Sequence, residues 1–157
     1  MYNNKLALNP SKTEFLLLGT PYHLNKFNHI NSVKFDDTLV TQSQSVRNLG
    51  IIFDKSLSFT DHINNVCKIA HLQIRDIRRI RDLVPKSALI PLANALVTSR
   101  LDYCNSLYNG IAKTNVQKLQ RIQNCIARAI TKTPKYDHIQ PILKKLHWLT
   151  VEARIKF

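Results

Sequence analysis

The sequence predicts an α+β fold, predominantly helical, in which a small antiparallel sheet comes first and a helical region follows. Short apolar runs closed by turn residues between Lys12 and Asp54 predict the sheet. A change of hydrophobic period beyond Ser56, from two residues to about three and a half, predicts the helices. The 157 residues, 44% hydrophobic and 21% charged, describe one globular domain or a piece of one, with a modest core. The change of period divides the chain into a strand region, 1–56, and a helical region, 57–157.

Taken in order, Phe15-Leu16-Leu17-Leu18 is closed by Gly19-Thr20-Pro21, and Ser32-Val33-Lys34-Phe35, Thr38-Leu39-Val40 and Leu49-Gly50-Ile51-Ile52-Phe53 follow. These are expected to be three or four strands of one antiparallel sheet. Val33 and Phe35 alternate with Lys34, and Asp36-Asp37 falls where a hairpin turn into Leu39-Val40 belongs. Tyr22 to Ile30 reads as a polar connector.

From Thr60 to Asp82, Ile63, Val66, Ala70, Gln73, Ile77 and Ile80 recur at helical spacing, with Ser58 or Thr60 as the N-cap. Between Pro85 and Asn105 two short helices are expected, because Pro91 removes a backbone donor and ends or kinks what precedes it. Asn109-Gly110 supplies a stop. Thr114 to Thr133 repeats the two-faced pattern with Val116, Leu119, Ile122, Ile126 and Ile130, and Pro134 closes it. The tail holds Ile139 to Leu146, then His147-Trp148-Leu149, then Thr150 as the cap of a last helix barely begun when the sequence stops.

Charge narrows the partner. There are 23 Lys+Arg against 10 Asp+Glu, a formal net charge of +13, which favours a polyanion: nucleic acid, or less readily an anionic membrane surface. No run approaches the roughly 18 apolar residues of a spanning helix, and Met1 to Pro10 has neither a basic nor an apolar signal region. An intracellular protein, nuclear or cytoplasmic and not secreted, is expected. Cys67, Cys104 and Cys125 are odd in number and widely spaced, and are expected to be reduced core residues rather than disulfides or a metal knuckle.

Enzymatic signatures are thin. Asp36-Asp37 superficially suits two-metal phosphoryl transfer, but adjacent strand residues point to opposite faces, and a hairpin turn explains the pair better. The other acids and the six histidines show no ligand spacing. Ser11 lacks a nucleophile elbow, and three glycines cannot build a glycine-rich cofactor loop. The strongest physical signal is a pair of basic stripes. Lys68, Arg75 and Arg79 gather opposite the apolar side of the first helix, flanked by His71 and Arg78. Lys118, Arg121, Arg128 and Lys132 do the same on the second, which has no acid between Thr114 and Thr133. Such self-repulsion would be relieved by a phosphate backbone.

Several ordered motifs then match one family. Asn4-Lys5-Leu6-Ala7-Leu8-Asn9-Pro10-Ser11-Lys12-Thr13-Glu14, Asn48-Leu49-Gly50-Ile51-Ile52-Phe53-Asp54, Ser58-Phe59-Thr60-Asp61-His62-Ile63 and Thr98-Ser99-Arg100-Leu101-Asp102-Tyr103-Cys104-Asn105 resemble the reverse transcriptase of non-LTR (LINE-type) retrotransposons, of jockey or CR1-like flavour. Leu119-Gln120-Arg121-Ile122-Gln123-Asn124 and Leu146-His147-Trp148-Leu149 with Arg154-Ile155 resemble the segment after its palm. The resemblance implies a fragment: a palm remnant that begins after the catalytic turn, a primer-grip-like hairpin, and a thumb. It implies RNA-directed DNA synthesis in the whole enzyme with Mg2+, and no catalysis or cofactor in this chain alone. Lys12 matches the lysine that would protonate the leaving pyrophosphate, and Asn48, Leu49 and Gly50 match the hairpin laid against the primer strand. An RNA/DNA template-primer is the implied partner. A non-catalytic binding or interaction module and an inert truncated relic are the alternatives.

Overall fold

The computed structural model describes residues 9–35 and 38–157, and the chain divides into two units, Met1–Phe59 and Thr60–Phe157. The architecture is α+β, with two small antiparallel ribbons preceding the helices of the second unit.

Among the described residues, the first element of the first unit is a 3-10 turn, Pro10–Lys12, organised by Asn9. Asn9 Oδ1 accepts from the Ser11 backbone at 3.1 Å and from the Ser11 hydroxyl at 2.6 Å, which is how Asn forms a turn with its own neighbours. Helix α1, Pro21–Lys26, occupies the stretch expected to be a polar connector. Its signal was Thr20-Pro21: the Thr20 hydroxyl caps the His23 N–H at 3.4 Å, and Pro21 suits a first helical position. Strands β1 (Ser32–Phe35) and β2 (Thr38–Thr41) pair antiparallel, with Val33 opposite Val40. Asp36 and Asp37, the expected hairpin turn, lie outside the described residues.

Strands β3 (Ser45–Asn48) and β4 (Ile51–Asp54) form a second ribbon, so the single sheet expected from the sequence is replaced by two ribbons of two strands. Phe15–Leu18 is not a strand. Its ends are engaged by different partners, a bridge from Phe15 to Gln42 and a bond from the Gly19 N–H to the Lys55 carbonyl at 3.0 Å, so it spans rather than extends a ladder. Strand β3 has Val46 as its one large apolar residue, too thin an alternation to stand out.

The β3–β4 turn is Leu49-Gly50, with φ of 47° and 85°. Two positive values make it a type I′ hairpin, whose twist matches that of the strands. Below it, Asp54 organises the exit from β4: Oδ1 accepts from the Ser56 and Ser58 N–H groups at 3.1 and 3.0 Å, and Oδ2 from the Phe59 N–H at 2.7 Å. These bonds hold a loop in which Leu57 and Phe59 both adopt φ of 54°. Burial works to raise the Asp54 pKa, but the hydrogen bonds from Ser58, Ser56 and Phe59 outweigh it and leave the carboxyl below its usual range.

In the second unit, α2 (Thr60–Ile80) and α5 (Lys113–Thr131) form the core pair. Asn115 Nδ2 donates to Thr60 Oγ1 at 3.0 Å at one end, and Arg81 donates to the Ala129 carbonyl at 3.3 Å at the other, so the two helices run parallel. Ile63, Val66, Ala70, Ile74 and Ile77 of α2 face Leu119, Ile122, Ile126 and Ile130 of α5 in the buried interior. Ile74 takes the place expected for Gln73, and Ile80 is 37% exposed. A straight helix of 3.6 residues per turn drifts off a strict heptad within three turns.

Helix α3 (Lys86–Ala93) contains Pro91 and runs on through a π-helical turn, Asn94–Thr98, into α4 (Ser99–Asp102). The break expected at Pro91 therefore becomes a π turn. Pro91 and Ser87 are both exposed, so water can satisfy the carbonyl that the missing N–H leaves unpaired. Gly110, at φ 84°, provides the expected stop before α5. Helix α6 (Gln140–Lys145) and α7 (Val151–Lys156) complete the unit, and both touch α5. Thr150 caps α7 as expected, accepting from the Ala153 N–H at 3.3 Å.

The cysteines are free, but none is fully buried, and Cys104 is exposed. Burial raises the Cys67 thiol pKa, against the opposing charge of Lys118.

Candidate nucleic-acid interface

The parallel packing of α2 and α5 leaves a groove of about 690 Å³ along their C-terminal halves. His71, Arg78 and Arg81 line it from the α2 side, and Arg121, Arg128 and Lys135 from the α5 side. No Asp or Glu lines it. Asn124, Thr133 and Cys125 add neutral polar groups between the cations.

The cations are held in two ways. Arg128 donates from Nε to the Pro134 carbonyl at 3.3 Å and from Nη2 to the Asp137 carbonyl at 2.9 Å. Both acceptors are uncharged, so the guanidinium is oriented while its charge stays uncompensated. Arg81 donates to the Ala129 carbonyl and lies 3.9 Å from the Asp82 carboxylate, while its buried Nε makes no hydrogen bond. Among the described residues no carboxylate pairs with Arg78, Arg121, Arg128 or Lys135. Guanidinium groups converging on a groove without acids suit phosphate oxygens, which accept paired N–H donors.

The structure gathers part of the expected set. Arg121 and Arg128 lie in the groove, with the flanking His71 and Arg78. Lys68, Arg75 and Arg79 are exposed but sit further round α2 and do not line it, and Asp76 lies 4.0 Å from Arg75 and 3.6 Å from Arg79. Lys118 donates to Asn64 Oδ1 at 2.7 Å across the helix seam, and Lys132 pairs with Asp82. The hydrogen bond and charge of Lys132 hold the Asp82 carboxyl below its usual range.

In the first unit, Lys12 is exposed at the end of its turn, and Asn48, Leu49 and Gly50 form the tip of the β3–β4 hairpin, with Leu49 83% exposed. Arg81 and Lys135 are groove residues absent from the helical-wheel set. Arg81 lies just past α2, and Lys135 reaches the groove from the loop after Pro134, where no wheel applies.

The glutamines of α5 have a structural role that periodicity could not show. Gln123, 1% exposed, donates to the Leu149 carbonyl at 2.7 Å, and the Gln120 carbonyl oxygen accepts from the Val151 N–H at 2.9 Å. Together they fasten the His147–Val151 segment to α5. Asp102 and Arg154 form an ion pair between α4 and α7.

No group of three or more His, Cys, Asp or Glu side chains suited to a metal ion occurs among the described residues. No helix among them is long and apolar enough to cross a membrane.

Comparison with known proteins gives one distant relation. The chain is 25% identical over 156 residues to a protein of Drosophila melanogaster described as "Probable RNA-directed DNA polymerase from transposon BS". The match covers 96% of this chain and 17% of that protein, so the chain spans about a sixth of the relative's length. No protein-family profile matches the chain, and no solved structure does. The chain is thus distantly similar, along nearly its whole length, to part of a transposon RNA-directed DNA polymerase.

Proposed function

We propose that this chain is the nucleic-acid-contacting end of a non-LTR retrotransposon reverse transcriptase, with 1–56 derived from the palm and 57–157 from the thumb and connection. One observation carries the proposal: the groove between α2 and α5 presents arginines from both helices and no acid. The distant similarity to a transposon RNA-directed DNA polymerase supports it. The natural ligand is the phosphate backbone of an RNA/DNA template-primer, bound without sequence preference, because phosphate contacts position but do not specify. Arg121 and Arg128 carry the largest share, with Arg78, Arg81 and Lys135. Lys68, Arg75, Arg79, Lys118 and Lys132 add a weaker outer field, since several already have partners.

Asn48, Leu49 and Gly50 are proposed to approach the primer strand, and Lys12 to act as a proton donor in the whole enzyme. The chain by itself is proposed to bind and not to polymerise.

Fluorescence anisotropy of a short RNA/DNA hybrid, titrated with the chain at several salt concentrations, tests this. Log affinity should fall with log salt by roughly 0.7 to 0.9 per phosphate neutralised. The double variant Arg121→Glu/Arg128→Glu should weaken binding by about tenfold or more and reduce the slope by about two. Lys68→Glu should change both much less. Negligible or salt-insensitive binding by a chain with a helical circular dichroism spectrum would refute the proposal.

A further inference from the structure

A second cavity of about 430 Å³ lies in the helical unit and shares no lining residue with the α2–α5 groove. Asn94, Thr98, Ser99 and Asp102 form one wall, contributed by the π turn and α4. Trp148 and Arg154 line it from the C-terminal segment, together with His147 and Leu149, and Arg154 reaches Asp102 across it.

The C-terminal side of the cavity is held by backbone and side-chain hydrogen bonds. The His147 N–H bonds the Lys144 carbonyl at 3.0 Å and the Trp148 N–H bonds the Leu143 carbonyl at 2.9 Å, with His147 at φ 55°. These two bonds and the left-handed residue are a complete Schellman stop, with histidine where glycine is usual. Trp148 packs against the cluster of Ala127, Leu143 and Leu146, as the residue after such a stop commonly does. Gln120 and Gln123 hold the following backbone, and Asn105 Nδ2 donates to the Arg154 carbonyl at 3.1 Å.

The first wall carries an unexplained polar group. Thr98 is 7% exposed, and its Oγ1 is buried without a hydrogen bond. It sits in a π turn, a rare distortion found frequently at functional sites.

The chemistry of the walls selects the ligand. Asp102 and Arg154 neutralise each other, so the cavity is not built for phosphate. The lining residues supply an acceptor in the Asp102 carboxylate, donors in the Arg154 guanidinium and an aromatic ring in Trp148. A neutral planar heterocycle with adjacent donors and acceptors meets all three. The volume suits one nucleoside and excludes a duplex.

We propose that this cavity takes a single unstacked nucleobase, guanine in preference, from a single-stranded segment of the bound nucleic acid. Guanine N1–H and N2–H donate to the Asp102 carboxylate, O6 accepts from Arg154, and Trp148 supplies the stacking surface. The inference rests on the nucleic-acid reading of this chain and adds a base preference that the groove lacks.

Trp148 is the single tryptophan among the 157 residues, and it lines this cavity and not the α2–α5 groove, so its fluorescence distinguishes the two. Titrating the full chain with GMP should quench it saturably, with CMP and UMP weaker by roughly fivefold or more, as their edges match less well. Inorganic phosphate should leave it unchanged. Asn94→Ala, at an exposed lining position, should weaken GMP binding by about threefold or more while circular dichroism and hybrid anisotropy stay the same. Asp102→Asn should erase the preference for guanine; should that variant unfold, Asn94→Ala decides. Absence of quenching by GMP, or equal quenching by all nucleotides and phosphate, overturns the base site. The groove proposal fails separately, by loss of salt-dependent hybrid binding, and Arg121→Glu should weaken that binding without altering the GMP titration.

Discussion

The two units of this chain solve the problem of burial differently. In the helical unit, two long amphipathic helices present matching apolar faces, and α3, α6 and α7 close around α5. In the ribbon unit, Val40, Ile51 and Phe59 are the buried apolar residues among those described, while Tyr22 and Leu39 are 76% and 63% exposed. A helix satisfies its own backbone and needs one partner for its apolar face. A two-stranded ribbon satisfies half of its backbone and is marginal by itself. The charge pattern follows the same division, because the cations that line the groove all belong to the helical unit.

The largest expected effect tests that contrast directly. Residues 60–157 expressed alone should keep a helical spectrum and a cooperative thermal transition, whereas residues 9–59 alone should show neither. A cooperative transition in the ribbon piece would break the comparison. Within the helical unit, Gln123→Leu should destabilise by about 0.5–1.5 kcal/mol, since it removes the donor to the Leu149 carbonyl. Thermal denaturation would show it, and faster amide exchange at residues 147–151 would locate it.

In the ribbon unit, Asp54→Ala should cost about 1–2 kcal/mol by releasing the N–H groups of Ser56, Ser58 and Phe59. Its pH dependence has a defined sign. The folded carboxyl titrates below its usual value of 3.8, so its stabilisation is full above that pH and is lost as pH falls through the lower folded value. Acid titration of the wild type, followed by exchange at residues 54–59, should show the loop loosening below about pH 4, and Asp54→Asn should show it already at neutral pH. The smallest effect is a gain. Leu49 holds φ of 47°, a conformation asparagine tolerates better, and Leu49→Asn should stabilise the hairpin by about 0.5–1 kcal/mol while weakening any contact its exposed side chain makes.

Much of the helical unit was legible because its signals are local and repeated. Ile63, Val66 and Ala70 on α2 and Leu119 to Ile130 on α5 write the buried faces, Thr150 writes a cap, and Gly110 a stop. The ribbon unit was less so. Val46 is too isolated to announce β3, the Thr20-Pro21 cap was outweighed by the polar residues after it, and the continuous run Phe15–Leu18 reads as a strand although its backbone bonds go elsewhere.

The amino-acid sequence by itself determined the α+β class, the two amphipathic helices, the excess of positive charge and the absence of acids from α5. Each follows from composition or from a period that the backbone imposes on neighbouring residues. Tertiary structure alone decided that α2 and α5 run parallel, that Arg78 and Arg81 meet Arg121 and Arg128 across one groove, and that Lys132 is occupied by Asp82. It also joined Asp102 to Arg154 and Gln123 to Leu149. A helical wheel reports which side of one helix a residue occupies, whereas a shared groove depends on the rotation and direction of a second helix, which only packing sets.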